Sequence, residues 1–505
     1  MNRFTLFSLL IISLVTHSTF SQTIKATLVD QTSKEPIPFA TISLNQESWM
    51  ISSEQGKFDF HINGETSEQD SIYIRSLGYE EKVIAVSNFT DSIIKLQPQD
   101  IILSEVVLLN NSYTAEQIME KVLDSLQENY QANYTSQRVF YRDSDINKLN
   151  NSKVDVKQST IEEFDQHFAD KIIEEIPNSF PYHRELLADL YLKSTVTGVE
   201  ELKMDPIKAC QLYDKNNEFS SDKMEDKLQS LLRKHIKRNS YFVIKSGLIG
   251  AKTEEIDSSF FDHKVDSLVS AKDSLEKQKK SKEHFNSSLR SGITDFLNSN
   301  FLDPESDLDV IHRQNKYKYS LEGLTNLDNA LVYKVTFEPK RGDYSGILYI
   351  NTEDFGIMRI DYHNVEPLRK IRLFGISYRH NLREGTYLYK RNTNGTYSIK
   401  FQEENNSIVF GIERPLKIIE KNKHVKGRRK QNQVRLGVDF KIQNSQKKTL
   451  VVFESSPLTQ ESFGQIDGKN NIEPAYLPKY DPAFWEGYNI LAPNQAITEF
   501  KSLEQ

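Results

Sequence analysis

The stretch that most limits what this chain can fold into is LVYKVTFEPKRGDYSGILYINTEDFGIMRIDY, residues 331–362. Leu331, Tyr333, Val335 and Phe337 alternate with Lys334, Thr336 and Glu338. A period of two marks a strand with one buried face. Pro339, Gly342 and Asp343 break the run, and Tyr344 to Ile350 forms a second strand. Asn351 to Asp354 is a polar turn. Met358, Ile360 and Tyr362 then share one face of a third strand, with Arg359 and Asp361 on the other. Three antiparallel strands in a row must lay their apolar face on a second layer, on helices or on a ligand.

A chain of 505 residues has room for two or three domains, each with its own core. Hydrophobic residues make up 37% and charged residues 27%, the balance of a polar globular protein. The formal net charge of −7 argues against nucleic acid as a partner. Residues 1–21 read as a signal peptide. Arg3 supplies the positive start, Phe4 to Val15 is mostly apolar, and Thr19 and Ser21 are small residues before a cleavage point at Gln22. An apolar run of roughly 12 residues is short for a membrane span, and no later run approaches ~18. The exported chain is therefore expected to have no transmembrane span. Its one cysteine, Cys210, excludes an intramolecular disulfide and reads as a small buried hydrophobe.

Residues 22–108 carry short alternating runs separated by turns. These are Ile24 to Val29, Ile37 to Leu44, Lys57 to Ile62, Ser71 to Ser76, Lys82 to Val86 and Ser92 to Leu96. Such spacing predicts a small all-β sandwich. Gly56 and Gly78 fall where turns need a positive φ. Four motifs follow in order: Pro36-Ile37-Pro38-Phe39-Ala40-Thr41-Ile42, Glu54-Gln55-Gly56-Lys57-Phe58, Leu77-Gly78-Tyr79 and Leu103-Ser104-Glu105-Val106-Val107. With these motifs the stretch resembles the carboxypeptidase-regulatory-like domain of Bacteroidetes-type envelope proteins. That resemblance implies a prealbumin-like sandwich of about seven strands. It also implies an accessory module without peptidase activity.

Residues 113–455 read as a large α+β domain. Thr114 and Gln117 fit a capping box ahead of a helix whose face holds Ala115, Ile118, Val122 and Leu126, ending near Asn129-Tyr130. The helix end followed by Val139-Phe140-Tyr141-Arg142-Asp143 resembles the second domain of uncharacterised envelope proteins that carry the same regulatory domain. Ser136 to Arg142 and Lys153 to Ile161 are expected as the first strands of a large sheet. Residues 162–313 are expected as a helical insertion. Its helices are placed at Phe164 to Ile176, at His183 to Leu192 and at Asp222 to Lys237, with a strand at Tyr241 to Ile249. Ser259 to Asn298 is lysine-rich and predicts a solvated helix.

Tyr317 to Leu324, Ile371 to Tyr378, Gly385 to Lys390, Tyr397 to Glu403, Ser407 to Pro415, Gln433 to Gln443 and Thr449 to Glu454 continue the strands. The expected result is an open, curved antiparallel sheet or half-barrel. Its pattern resembles the lipoprotein-carrier (LolA/LolB-like) fold, which implies an apolar cavity wrapped by the sheet. The tail, residues 456–505, contains Tyr480, Phe484, Trp485 and Tyr488 and is expected to pack on the sheet. The residues after 455 are too few for eight membrane strands of ~10 residues each.

No HExxH, GxSxG, Walker-type loop or GxGxxG occurs. His363 and His380, with Asp361 or Glu366, are the one combination that neighbouring strands would bring toward a metal. Solvated surface histidines are the plainer reading. Glu353-Asp354 belongs to a turn. Accordingly no residue is assigned a catalytic, cofactor-binding or metal role, and no cofactor is expected. Lys421, Lys423, His424, Lys426, Arg428, Arg429 and Lys430 form a basic run between two strands. It reads as a hairpin tip, with anionic headgroups as the alternative contact. The expectation is a non-enzymatic binding protein of the periplasm or outer membrane, holding a lipid, lipoprotein or outer-membrane partner on an open sheet. The alternatives are an assembly partner of an outer-membrane complex and a hydrolase with an unrecognised site.

Overall fold

The structure is a computed structural model. It describes residues 22–502 apart from 47, 63–65, 68, 91, 100–112, 132, 217–229, 232, 238, 248, 253–284, 423, 427–428 and 469–471. The leader 1–21, the motif at Leu103 to Val107, most of the helix expected over Asp222 to Lys237 and the part of the polar segment from 259 to 284 lie outside the described residues.

The N-terminal strands are β1 (Gln22–Asp30), β2 (Thr41–Leu44), β3 (Ser48–Ile51), β4 (Lys57–Ile62), β5 (Ser71–Arg75), β6 (Lys82–Ala85) and β7 (Ile93–Leu96). They form one sheet in the order β4-β1-β7 and another in the order β3-β2-β5-β6. Ile24, Leu28, Ile42, Phe58, Phe60, Ile72, Ile74 and Leu96 are buried together between the sheets. Two details differ from expectation. The strand expected from Ile37 begins at Thr41, because Phe39 takes a left-handed φ of 57° between Pro38 and Ala40. β3, which pairs with β2, has too little alternation to read. Gly56 has φ 69°, and a Cβ there would lie 2.4 Å from the Leu28 carbonyl oxygen, so this turn admits glycine alone.

The rest of the strands join one fourteen-stranded sheet. They are β8 (Asn133–Ser159), β9 (Ser179–Ser194), β10 (Val199–Tyr213), β11 (Ser240–Ser246), β12 (Ile249–Lys252), β13 (Tyr317–Leu327), β14 (Ala330–Pro339), β15 (Tyr344–Asn351), β16 (Ile357–Asn364), β17 (Arg369–Leu373), β18 (Ile376–Arg391), β19 (Tyr397–Asn422), β20 (Lys430–Pro457) and β21 (Ala475–Tyr476). Their order is β13-β14-β15-β16-β18-β19-β20-β8-β9-β10-β21, with β17 added to β18 and β11–β12 to β19. All pairings are antiparallel except β10 with β21. The sheet is open and curved. The expected central strands over 331–362 are β14, β15 and β16.

Three expectations about this sheet need correction. The helix expected at His183 to Leu192 is strand β9. Leu186, Ala188, Leu190 and Leu192 point to one buried layer and Leu187 to the opposite one. A strand buried on both faces reads as a continuous apolar run, which mimics helical spacing. The expected strands Ser136 to Arg142 and Lys153 to Ile161 are one strand, β8, and the pieces expected over 397–415 and 433–454 merge into β19 and β20. Polar residues in mid-strand gave a break in pattern that cross-strand hydrogen bonds do not need. The stretch 162–313, expected to be helical apart from a strand at Tyr241 to Ile249, also carries β9 and β10, while the expected strand is β11.

Three helices lie on one face of the sheet. α1 (Ala115–Asn129) starts at the Thr114–Gln117 capping box and buries Ile118, Met119, Val122 and Leu126 over β13 to β16. α2 (Gln166–Glu174) covers the far end of β8. α3 (285–298) is no solvated helix: Phe285, Leu289, Ile293, Phe296 and Leu297 pack on Val139, Tyr141, Leu186, Leu190, Leu450 and Val452. On the opposite face, Phe140, Leu187, Cys210, Phe401, Val451 and Phe453 share a core with the N-terminal sandwich and the C-terminal tail. Trp485 of the tail is fully buried, edge-on to Phe140 with ring centroids 5.6 Å apart. The body is thus three layers deep, with the sheet in the middle.

Trp485→Ala is expected to cost about 3–5 kcal/mol, since it removes a large buried ring and a partner of Glu185. Urea unfolding of the variant against the parent chain checks this.

Candidate functional site

Four places in the fold gather chemistry-bearing side chains. The first lies under the tail. Glu185 Oε1 is 2.6 Å from Arg142 Nη2, and both side chains are buried. Arg142 also donates to the carbonyls of Leu491 (2.8 Å) and Ala492 (3.2 Å). Trp485 Nε1 donates to Glu185 Oε2 at 2.7 Å, and the Cys210 thiol donates to the same oxygen at 3.6 Å. Burial first, and then the Glu185 carboxylate, push the Cys210 thiol far up, so it stays protonated and is no nucleophile. Burial lowers His183 to about 4, leaving a neutral imidazole beside the Phe500 ring. The cluster ties the tail to the sheet through charge-assisted hydrogen bonds.

The second is the histidine pair considered for metal. β16 and β18 are neighbours, but the register sets His363 opposite Glu384, while His380 lies opposite Arg369 and Ile408. Four residues of strand separate the two positions by ~13 Å. His380 Nε2 is bonded to Asn406 at 2.7 Å, and Asp361 accepts from Arg359 and Thr386. No group of three or more metal-ligating side chains occurs among the described residues. Glu353 and Asp354 sit in their turn, both paired with Arg391.

The third is the seam between sandwich and sheet. Lys447 of β20 pairs with Glu54 of the sandwich and, at 3.0 Å, with Glu403 of β19. Thr449 also donates to Glu403. Burial, opposed by Lys447, raises the Glu403 carboxyl to about 7. Beside this seam a cleft of about 520 Å³ opens between sandwich, sheet and tail, lined by Trp49, Phe60, Leu187, Ile207, Phe453 and Tyr488 among others. Helices α1 and α3 pack on the face of β13 to β16 and of β8 to β10, where the lipoprotein-carrier resemblance implied an apolar cavity.

The fourth is the outer part of the sheet, where β18, β19, β20 and β8 run beyond the covered body. Antiparallel partners opposite one another point to the same side. The register therefore aligns Ile371, Tyr378, Phe410, Ile442 and Leu149 in one row across five strands. Leu373, Ile376, Ile412 and Phe440 form the row beside it. Phe410 is 44% exposed and Ile442 39%. The opposite side carries Lys370, Arg372, Arg379 and Lys441. The apolar rows continue under Ile161, Phe164 and α2, where Leu416, Leu436 and Val156 are covered. An apolar band is left open between two covered ends. The basic run is the β19–β20 hairpin loop, as expected, with Lys421 opposite Lys430. Lys423 and Arg428 lie outside the described residues.

Sequence reasoning missed this band, because Ile371 to Tyr378 was read as one strand. Phe374 and Gly375 instead form the two-residue turn between β17 and β18. Two alternating runs flanking a glycine-containing dipeptide were the available signal.

No family model and no curated protein matches the chain. It is similar to a DUF1329 family protein from Desulfovibrio piger, with 11% identity, 64% of this chain and 91% of that chain covered, and a TM-score of 0.17. It is similar to a LolA superfamily protein from Nitrosomonas europaea, at 9% identity, 70% and 97% coverage and a TM-score of 0.17. It is also similar to the MucA/MucB complex structure of Pseudomonas aeruginosa, at 6% identity, 68% and 99% coverage and a TM-score of 0.15. No helix among the described residues is long and apolar enough to cross a membrane.

Glu403 is protonated more readily in the folded chain than at its ordinary value of 4.5. Its contribution therefore favours folding at low pH and is lost as pH rises from 4.5 to about 7. Glu403→Gln is expected to flatten this part of the stability–pH profile, measured by urea unfolding at a series of pH values.

Proposed function

We propose that this chain is a non-enzymatic binding protein of the cell envelope, exported by its leader, that receives its partner on the open outer part of the sheet. One observation carries the reading. The body of the sheet is covered on both faces by the chain's own elements, whereas the outer strands keep a two-row apolar band in water. Contiguous exposed apolar surface on a folded protein marks an interaction site. The regulatory-domain resemblance of residues 22–108 and the leader-like residues 1–21 support the envelope assignment. In this reading the sandwich is an accessory layer. It fills the back of the sheet and is pinned there by Lys447 and by Lys400, which bonds Thr41 and Asp328.

A second reading has the cleft between sandwich, sheet and tail hold an amphiphile. Its volume of about 520 Å³ and its mixture of Trp49, Phe60 and Tyr488 with Arg138 and Glu454 favour it. Arg138 is engaged twice by Asp189, at 2.9 and 3.1 Å, so the cleft holds no free cation at that position.

A photo-reactive phenylalanine analogue at Phe410, activated in the native envelope, is expected to give adducts of discrete mass. The same group at Lys441, on the charged side, is expected to give none. Equal labelling from both positions, or none from either, would overturn the reading.

A further inference from the structure

We propose that the β17–β18 hairpin is a membrane-docking element that inserts its tip, edge-on, into an anionic lipid leaflet. The inference rests on the binding role of the outer sheet and names what that region meets. Leu373 is 58% exposed and Phe374 71%, the most exposed large hydrophobics among the described residues. Ile371 and Ile376 are exposed beside them. Residues 369–380 hold Arg369, Lys370, Arg372 and Arg379 and no Asp or Glu. An apolar tip ringed by cations on long stems is the chemistry of an anionic interface. The rings reach the acyl boundary while the guanidinium and ammonium groups stay at headgroup level. Lys245 and Lys252 on the neighbouring β11–β12 hairpin add to the positive field. Glu413 lies against this charge, 3.9 Å from Arg372, with both groups in water.

The backbone of the turn is an independent observation. Phe374 has φ 48° and Gly375 φ 76°. Two successive positive φ values are the turn that favours Asn-Gly, and a large aromatic at the first position is costly. The turn is held in place: Glu413 N–H donates to the Gly375 carbonyl at 2.7 Å, and a Cβ on Gly375 would lie 2.1 Å from the Glu413 oxygen. The turn thus presents a phenylalanine to water at a conformational cost, and among the described residues Phe374 joins no hydrophobic core. Strain at an exposed site points to function.

The test uses the chain from Gln22 onward, which keeps every described element and removes the apolar leader that would itself enter a bilayer. Flotation is measured with phosphatidylcholine vesicles, with and without phosphatidylglycerol. The chain is expected to float with the phosphatidylglycerol vesicles and to be released by salt. Phe374→Asn is expected to lower binding roughly tenfold while its melting temperature is unchanged or higher, because Asn suits the turn. Arg372→Glu is expected to lower binding about fivefold. A lower melting temperature for Phe374→Asn would make the ring a packing residue and overturn the proposal. So would equal flotation of variant and parent, or equal binding to both vesicle types. If the parent does not float at all but Phe410 still forms adducts in the envelope, the lipid inference falls and the binding role stands.

Discussion

The structure depends on a sheet whose central strands are apolar on both sides. Val139, Phe140 and Tyr141 are consecutive, and so are Leu186, Leu187 and Ala188, and all six are buried. Neighbouring residues of a strand point opposite ways. Such strands exclude a sheet with one wet face and require two covers. Helices α1 and α3 supply one cover, and the sandwich with the C-terminal tail supplies the other. The three-layer body follows from that requirement.

Polar groups locate the covers that apolar burial alone would leave free to slide. Hydrophobic burial is strong but non-directional. Arg142 addresses the main-chain carbonyls of Leu491 and Ala492 while paired to Glu185, and Glu185 also accepts from Trp485. This fixes the tail in one position on the sheet. At the sandwich seam, Lys447 joins Glu54 to Glu403, and Asn489 bonds both the amide and the carbonyl of His61. On the helix side, Gln402 donates to the last turn of α3 at Phe296, and Arg383 joins Glu404 while donating to Ser299. Removing one member of such a buried set leaves its partner desolvated and unpaired, so these contacts define the arrangement more than they add to stability.

The covers end before the sheet does. Beyond them, β18, β19, β20 and β8 continue as a ribbon with an apolar side and a charged side, and β17 forms its exposed edge hairpin. A sheet section with one unsatisfied side behaves as half of an interface. The long polar stretches that hid these strands from pattern reading also make up the charged side of the ribbon. Cross-strand bonding between main chains is indifferent to side-chain polarity, so the strands persist where the alternation fades.

Strands β14 to β16, the capped helix α1 and most of the sandwich were legible in the sequence, because each shows one buried face against one wet face. A local period of two or 3.6 suffices there, and Thr114, Gln117 and Gly56 act on their own neighbours. Strand β9 was not legible: burial on both sides erases the alternation, and burial depends on layers contributed by residues hundreds of positions away. Neither was the apolar band, whose nine side chains come from five strands aligned only by register. By itself the sequence determined the β-rich class and the local turns. Tertiary structure alone decided that the sheet is filled on both faces, that His363 and His380 stay apart, and that Phe374 stands at an exposed tip. Those outcomes depend on register and layer packing, which are set by non-local contacts that no window of the chain contains.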